Sequence, residues 1–266
     1  MGYPREEVSL RGSLPHLGGI MKAISLAALA VSALTLCGCE TTRQQTDTGF
    51  HPPRGNYHVI VMQPDVTAGS LTAGGMVEPR EDWTTEARGN VIKAVEARQT
   101  RQGAVVKVAA TAQDTGWDAG SAEDLILLHR AVGTAIMMHK YGMQPLPSKK
   151  DSFDWTLGEQ AVAFGAATHY DYALFLHAQD SFSSGGRKAL QAAGFLGCLI
   201  GVCVGVSGGQ QIAFASLVDL KTGKVVWFNV LSSTVGDIRT PEGANEMVGK
   251  LLQSLNSEPA AQPKKT

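Results

Sequence analysis

Ala166-Ala167-Thr168-His169-Tyr170-Asp171-Tyr172-Ala173-Leu174-Phe175-Leu176 and Ala215-Ser216-Leu217-Val218-Asp219-Leu220-Lys221-Thr222-Gly223-Lys224-Val225-Val226-Trp227 are the two stretches on which the fold turns. In the first, a helical pattern ends on small residues and gives way to an apolar run, so Asp171 to Phe182 reads as a strand. In the second, Gln210 to Leu220 and Lys224 to Ser232 flank Lys221-Thr222-Gly223, a turn with glycine where a positive φ is needed, and together they read as a β-hairpin.

Working outward, Tyr57 to Gln63 is an apolar run closed by Pro64 and Ala104 to Ala109 is a second valine-rich run; both read as strands. Between them Asp82 to Arg98 places Ala87, Val91, Ala94 and Val95 at helical spacing. Ser121-Ala122-Glu123-Asp124 reads as a capping motif that opens a helix to about Tyr141. Thr156-Leu157-Gly158-Glu159 offers another capping box, for a helix to about Thr168, and Pro241 starts a last helix to about Leu255. The order β-α-β-α-α-β-β-β-α predicts a single α/β domain over residues 56–256, with a central mixed β-sheet flanked by helices. The polar stretch Glu40 to Gly55 reads as a flexible tether and residues 257–266 as a disordered tail.

Composition narrows the class. With 44% hydrophobic residues in 266 there is enough apolar material for a packed core, and a net charge of -1 excludes a binder that neutralises nucleic-acid phosphates. Four cysteines are too few for a disulfide scaffold. Two of them stand in a telling place. Met21-Lys22 followed by the uncharged run Ala23 to Leu36 is a signal-peptide core, too short to span a bilayer. It runs into Leu36-Cys37-Gly38-Cys39, which resembles the lipobox of bacterial lipoproteins. The resemblance implies cleavage after Gly38 and lipidation of Cys39, and it makes residues 1–38 an upstream extension plus signal peptide with Met21 as the expected start. Loss of that segment removes Arg5, Arg11, Lys22, Glu6 and Glu7 and leaves a net charge of -2. With Glu40 rather than aspartate after the lipidated cysteine, the expected address is the periplasmic face of the outer membrane.

The helix that enters the strand at Ala166 to Leu176, followed by the hairpin Ala215 to Trp227, resembles the envelope lipoproteins whose domain is similar to the amino-terminal domain of TolB, including the CsgG and LpoB families. The resemblance covers about Tyr57 to Leu255 and implies an architecture more than any functional residue.

Local motifs give no reaction. Gly205-Val206-Ser207-Gly208-Gly209 matches the nucleophile-elbow pattern, but a strand follows it where an elbow needs a helix, and no histidine lies beyond His177. It reads as a glycine-rich connector. His129 and His139 are ten apart, so one helix cannot bring both to one metal ion, and both read as histidines bordering the core. Asp65, Asp171 and Asp180 fall near element ends, where caps and turns use carboxylates. Asp82-Trp83-Thr84 and Asp154-Trp155-Thr156 read as helix-entry devices.

One segment resists this treatment. No charge occurs from Ala189 to Val218, and within it Gly197, Gly201 and Gly205 recur every fourth residue. On a helix they would share a face for close contact with the membrane or a sister subunit, and residues 189–208 are just long enough to span. Cys198 and Cys203 in this run read as two buried free thiols.

The expected function is that of a non-enzymatic lipoprotein, without cofactor or metal, held to the membrane by Cys39 and acting as a protein-binding or assembly module in envelope biogenesis or secretion. An oligomeric pore or transport subunit built through residues 189–208 is the alternative, and a periplasmic hydrolase a third reading.

Overall fold

A computed structural model describes residues 40–46, 57–102, 106–142, 144–149, 152–199, 205–253 and 255. Its strands are β1 (Glu40–Thr46), β2 (Val59–Val61), β3 (Asp65–Leu71), β4 (Val77–Pro79), β5 (Val106–Val108), β6 (Tyr172–Ser183), β7 (Gln211–Asp219) and β8 (Lys224–Ser233). The α-helices are α1 (Glu81–Gln102), α2 (Ala119–Ile136), α3 (Gly158–Thr168), α4 (Gly185–Leu199) and α5 (Pro241–Leu251). All eight strands belong to one mixed sheet, so the predicted α/β class with a central mixed sheet is the observed one.

The quoted stretches form its middle. β6 pairs along its length with β7, antiparallel from Tyr172↔Asp219 to Asp180↔Gln211, and β7 pairs with β8 through the hairpin. Gly223 takes the expected positive φ of 71°, and a side chain there would strike the carbonyl of Gly158 at 2.5 Å, so the turn also seats the start of α3. On its other side β6 meets β2 and β3, both parallel to it and in line with one another. β5 lies beside β2 and β4 beside β3.

Alternation along these strands fills two cores. Leu174, Leu176 and Ala178 of β6 join Ala213 and Ala215 of β7 under α1 and α5, which bring Ala87, Val91, Val95, Met247 and Val248. Ala173 and Phe175 join Phe214 and Phe228 under α2 and α3, which bring Leu125, Ile136 and Phe164. The chain is a three-layer α/β/α domain.

Several elements depart from the reading of the sequence. Glu40–Thr46 is not a tether: it is an edge strand, antiparallel to β8 from Glu40↔Ser233 to Thr46↔Trp227. Pro64 follows the end of β2, as expected, but the chain then resumes as β3, which pairs with the same strand β6. The cap of α2 is Asp118, whose carboxylate accepts from the amide of Ser121 at 2.9 Å; Ser121 is the residue capped, not the cap. Thr156 does accept from the amide of Gly158 at 2.8 Å, but its hydroxyl donates to Gly223, so it ties α3 to the hairpin and forms no capping box. Thr84, part of an expected helix-entry device, exchanges hydrogen bonds with the backbone of Ala68 and fastens α1 to β3. Pro241 opens α5 as expected, behind Thr240 as cap.

Candidate functional site

β6 and β7 are antiparallel neighbours, yet they are not joined by a tight turn. The chain leaves β6, forms α4, and returns through residues 205–210 to β7. A polar knot closes the base of this excursion. Arg187 is buried, and its guanidinium donates to the carbonyl of Ser207 and to its hydroxyl, each at 2.9 Å, and to the carbonyls of Thr72 and Ala73 at 3.4 Å. The β3–β4 turn, the start of α4 and the returning strand are thereby held together by one side chain. Gly209 passes so close to β6 that an added Cβ would lie 1.8 Å from the carbonyl oxygen of Ser181. Only glycine fits there.

α4 presents its polar side inward and its apolar side outward. Arg187, Gln191 and Gly194, at helical spacing, face the body, whereas Ala189, Ala192, Ala193, Phe195 and Leu196 are exposed. Phe195 is 63% and Leu196 61% accessible. Other apolar side chains gather at the same end. Met76, 72% exposed, lies in the turn that Arg187 grips, and exposed Val235 follows β8 beside Gln211 and Gly209. Of the seven large apolar side chains exposed among the described residues, Met76, Leu190, Phe195, Leu196 and Val235 are at this end, so the concentration is a property of the end and not of the surface at large.

The register shows what else is there. Asp180 pairs with Gln211, Gln211 with Ser233, and Ser233 with Glu40, one row across four strands. Three strand spacings make roughly 14 Å. The first residue of β1, the neighbour of Cys39, therefore lies at the sheet end from which α4 emerges. At the same end of β6 and β7 is a cavity of about 130 Å³ lined by Asp180, Ser181, Ser183, Gln211 and Thr234. Burial pushes the Asp180 carboxyl up to about 6, against the hydrogen bonds it accepts from Gln211 at 3.0 Å and the amide of Ile238 at 3.4 Å.

A second polar group crosses the sheet interior. Asp65 at the start of β3 is buried and accepts from Arg130 of α2 through two nitrogens and from His177 Nδ1 at 2.8 Å. These bonds hold its pKa at about 2 although burial opposes them. His129 is stacked on Phe175 at 4.8 Å, with Nε2 2.8 Å from the Ser216 hydroxyl. Burial lowers its pKa to about 3, so it is neutral. Ser216 and His129 are both sealed from solvent, and no substrate reaches that pair.

The expected site residues fall out as follows. Gly38, Cys39 and Gly201 lie outside the described residues. Gly197 is in α4, but Gly205 is past its end, exposed, with open space where a side chain would be. The described residues do not place the three glycines on one helical face. Nor does the helix span, since α4 is fifteen residues long and no described helix is long and apolar enough to cross a membrane. Cys198 is exposed and disulfide-bonded, not a buried free thiol; Cys203 lies outside the described residues. The Ser207 hydroxyl is held by Arg187 ahead of a strand, as a connector requires. His139, half-buried, bonds the carbonyl of Gln144 at 2.6 Å, while His129 belongs to the core. Among the described residues no three metal-ligating side chains gather.

No family model matches the chain and no curated protein matches it, so the resemblance to the TolB-like group finds no support there. Among solved structures the chain is similar to PelC from Paraburkholderia phytofirmans, a dodecamer. A methionine variant of PelC is 14% identical with a TM-score of 0.37, over 83% of this chain and 100% of that one. Another PelC dodecamer is 13% identical with the same TM-score, over 83% and 99% of the two chains. At that likeness no role passes from PelC to this chain, and the apolar end of the sheet stands as the candidate site on its own geometry.

Proposed function

We propose that the chain is a lipid-anchored protein of the cell envelope, held on the periplasmic face of the outer membrane, whose α/β domain serves as a non-enzymatic protein-binding or assembly module in envelope biogenesis or secretion. The observation that carries this reading is the shared row Asp180, Gln211, Ser233, Glu40, which brings the residue after Cys39 to the end where α4 exposes Phe195 and Leu196. A single acyl chain attaches only marginally, whereas the diacylglyceryl cysteine that a lipobox implies holds by more than one chain, so a second apolar contact serves to orient the domain on the bilayer. α4 supplies that contact by lying along the lipid surface, with Arg187 fastening it to the body and the charge-free run from Ala189 entering the interface. A disulfide at Cys198 suits an oxidising compartment. The two faces of the sheet carry their helices, and these surfaces, turned away from the lipid, are left for protein partners.

The test is fractionation of cells expressing the full chain and its variants. Cys39→Ala is expected to move the protein from the membrane to the soluble fraction. The double variant Phe195→Asp with Leu196→Asp should keep its lipid and its thermal midpoint but lose about tenfold in affinity for vesicles, the equivalent of about 1.4 kcal/mol. Unchanged partitioning of Cys39→Ala would refute the anchor, and unchanged vesicle affinity of the double variant would refute the role of α4. Crosslinked pull-down from membranes then identifies the partner.

A further inference from the structure

The break between β2 and β3 opens a cleft that the membrane reading does not use. It holds about 240 Å³ and is walled by Pro64, Asp65, Arg88 of α1, and Glu123, Leu127 and Arg130 of α2. Four charges line it, and only two of them are paired. Asp65 and Arg130 neutralise each other through two hydrogen bonds, and His177 fixes the carboxylate from behind. That leaves the Arg130 guanidinium rigidly placed, with Nη1 not engaged by any described residue.

Arg88 and Glu123 are the remainder. Arg88 Nε is buried, without a hydrogen-bond partner among the described residues, and its guanidinium takes part in no ion pair there. A buried donor without an acceptor is unfavourable. Glu123 is exposed, makes no ion pair among the described residues, and does not reach Arg88. A cation and an anion in one small cleft, each unpaired, ask for a ligand with both charges. The remaining wall is the polar Gln63 beside Pro64, with Ile126 nearly buried and Leu127 half exposed. The volume lies below the roughly 300 Å³ at which drug-sized sites begin.

We infer that this cleft binds a small zwitterion, an α-amino acid with an aliphatic side chain: its carboxylate accepts from Arg88 and the free edge of Arg130, its ammonium meets Glu123, and its side chain packs on Ile126 and Leu127. Guanidinium groups suit a carboxylate because their parallel N–H bonds match its two oxygens. The pre-organised Arg130 loses little freedom on binding.

Isothermal titration of the full-length lipoprotein in detergent tests this, with four probes: leucine, N-acetyl-leucine without the ammonium, leucinamide without the carboxylate, and inorganic phosphate. Leucine is expected to bind saturably at one site, and each of the others at least tenfold more weakly. Arg88→Gln should weaken leucine at least tenfold with an unchanged far-ultraviolet circular dichroism spectrum. Glu123→Gln, on an exposed helix face where folding is safe, should abolish the preference for leucine over N-acetyl-leucine. Absence of saturable leucine binding, equal binding of phosphate or N-acetyl-leucine, or an unaltered affinity in Glu123→Gln would overturn the assignment. None of these outcomes depends on whether Cys39 carries lipid, so the cleft and the membrane reading fail separately.

Discussion

Asp65 and Asp180 are both buried carboxyls on neighbouring strands, and their surroundings drive them in opposite directions. Asp65 has Arg130 and His177 to accept from, and is lowered from the ordinary 3.8 to about 2. Asp180 has one amide side chain and one long backbone contact, with Asp237 nearby, and is raised from 3.8 to about 6. Their effects on stability therefore have opposite signs. A raised carboxyl contributes stability that is whole below pH 3.8 and is lost as pH rises through 6, and the interval corresponds to about 3 kcal/mol at most. Asp180→Asn keeps the shape and the acceptor for Gln211 without the charge. It should raise the urea midpoint at pH 7.5, by the equivalent of about 1–2 kcal/mol after allowance for the cavity's solvent, and leave it unchanged near pH 3.5. An equal effect at both pH values would show that charge burial is not the cause. Neither role was legible in the sequence. Both aspartates read as cap or turn residues, and so did Asp171, which instead accepts from the His58 amide at 3.0 Å across 113 residues of chain. The partners of Asp65 lie 65 and 112 residues away, and no local pattern records them.

At the scale of elements, the sequence displayed what local periodicity can encode. The β6 run, the β7–β8 hairpin and the long helices follow their apolar spacing, and Gly223 sits where its φ demanded. What failed was pairing without periodicity. β1 is Glu-Thr-Thr-Arg-Gln-Gln-Thr, with exposed side chains on both faces from Thr41 to Gln44, and only the open edge of β8 makes it a strand. Such an edge strand can be probed by proline. In an antiparallel pair alternate residues donate to the neighbour, so of Thr41→Pro and Thr42→Pro one should cost about 1 kcal/mol in urea unfolding and the other much less. A tether would tolerate both equally. α4 misled for the opposite reason: its glycines suggested a stripe, while the real signal was that Leu196 falls opposite Arg187 and, with the flanking Phe195, is exposed where a soluble helix keeps polar residues.

For the whole molecule the class was legible and the geometry of attachment was not. Composition and the Leu36-Cys37-Gly38-Cys39 motif gave an expected address, whereas the distance between anchor and body follows only from β1. A flexible sixteen-residue tether would let the domain tumble at a reach of roughly 20 Å from the lipid. A strand that starts at Glu40 removes that freedom. Insertion of a Gly/Ser segment of about ten residues between Cys39 and Glu40 should therefore leave membrane fractionation intact but expose α4. The readout is quenching of a probe at position 195 by brominated lipid, which should fall at least threefold. Equal quenching would mean that α4 finds the membrane unaided by the anchor.

β1 has one more consequence, a mechanical one. Tension applied at Glu40, as the proposed anchor on Cys39 would apply it, runs along β1, whose whole ladder to β8 stretches together as a lap joint does under shear. No single bond at the end of the row takes the strain first. With the proposed lipid on Cys39, a domain fastened in this way would resist being peeled off, and its weakest link would be the hold of the acyl chains in the bilayer, not the fold.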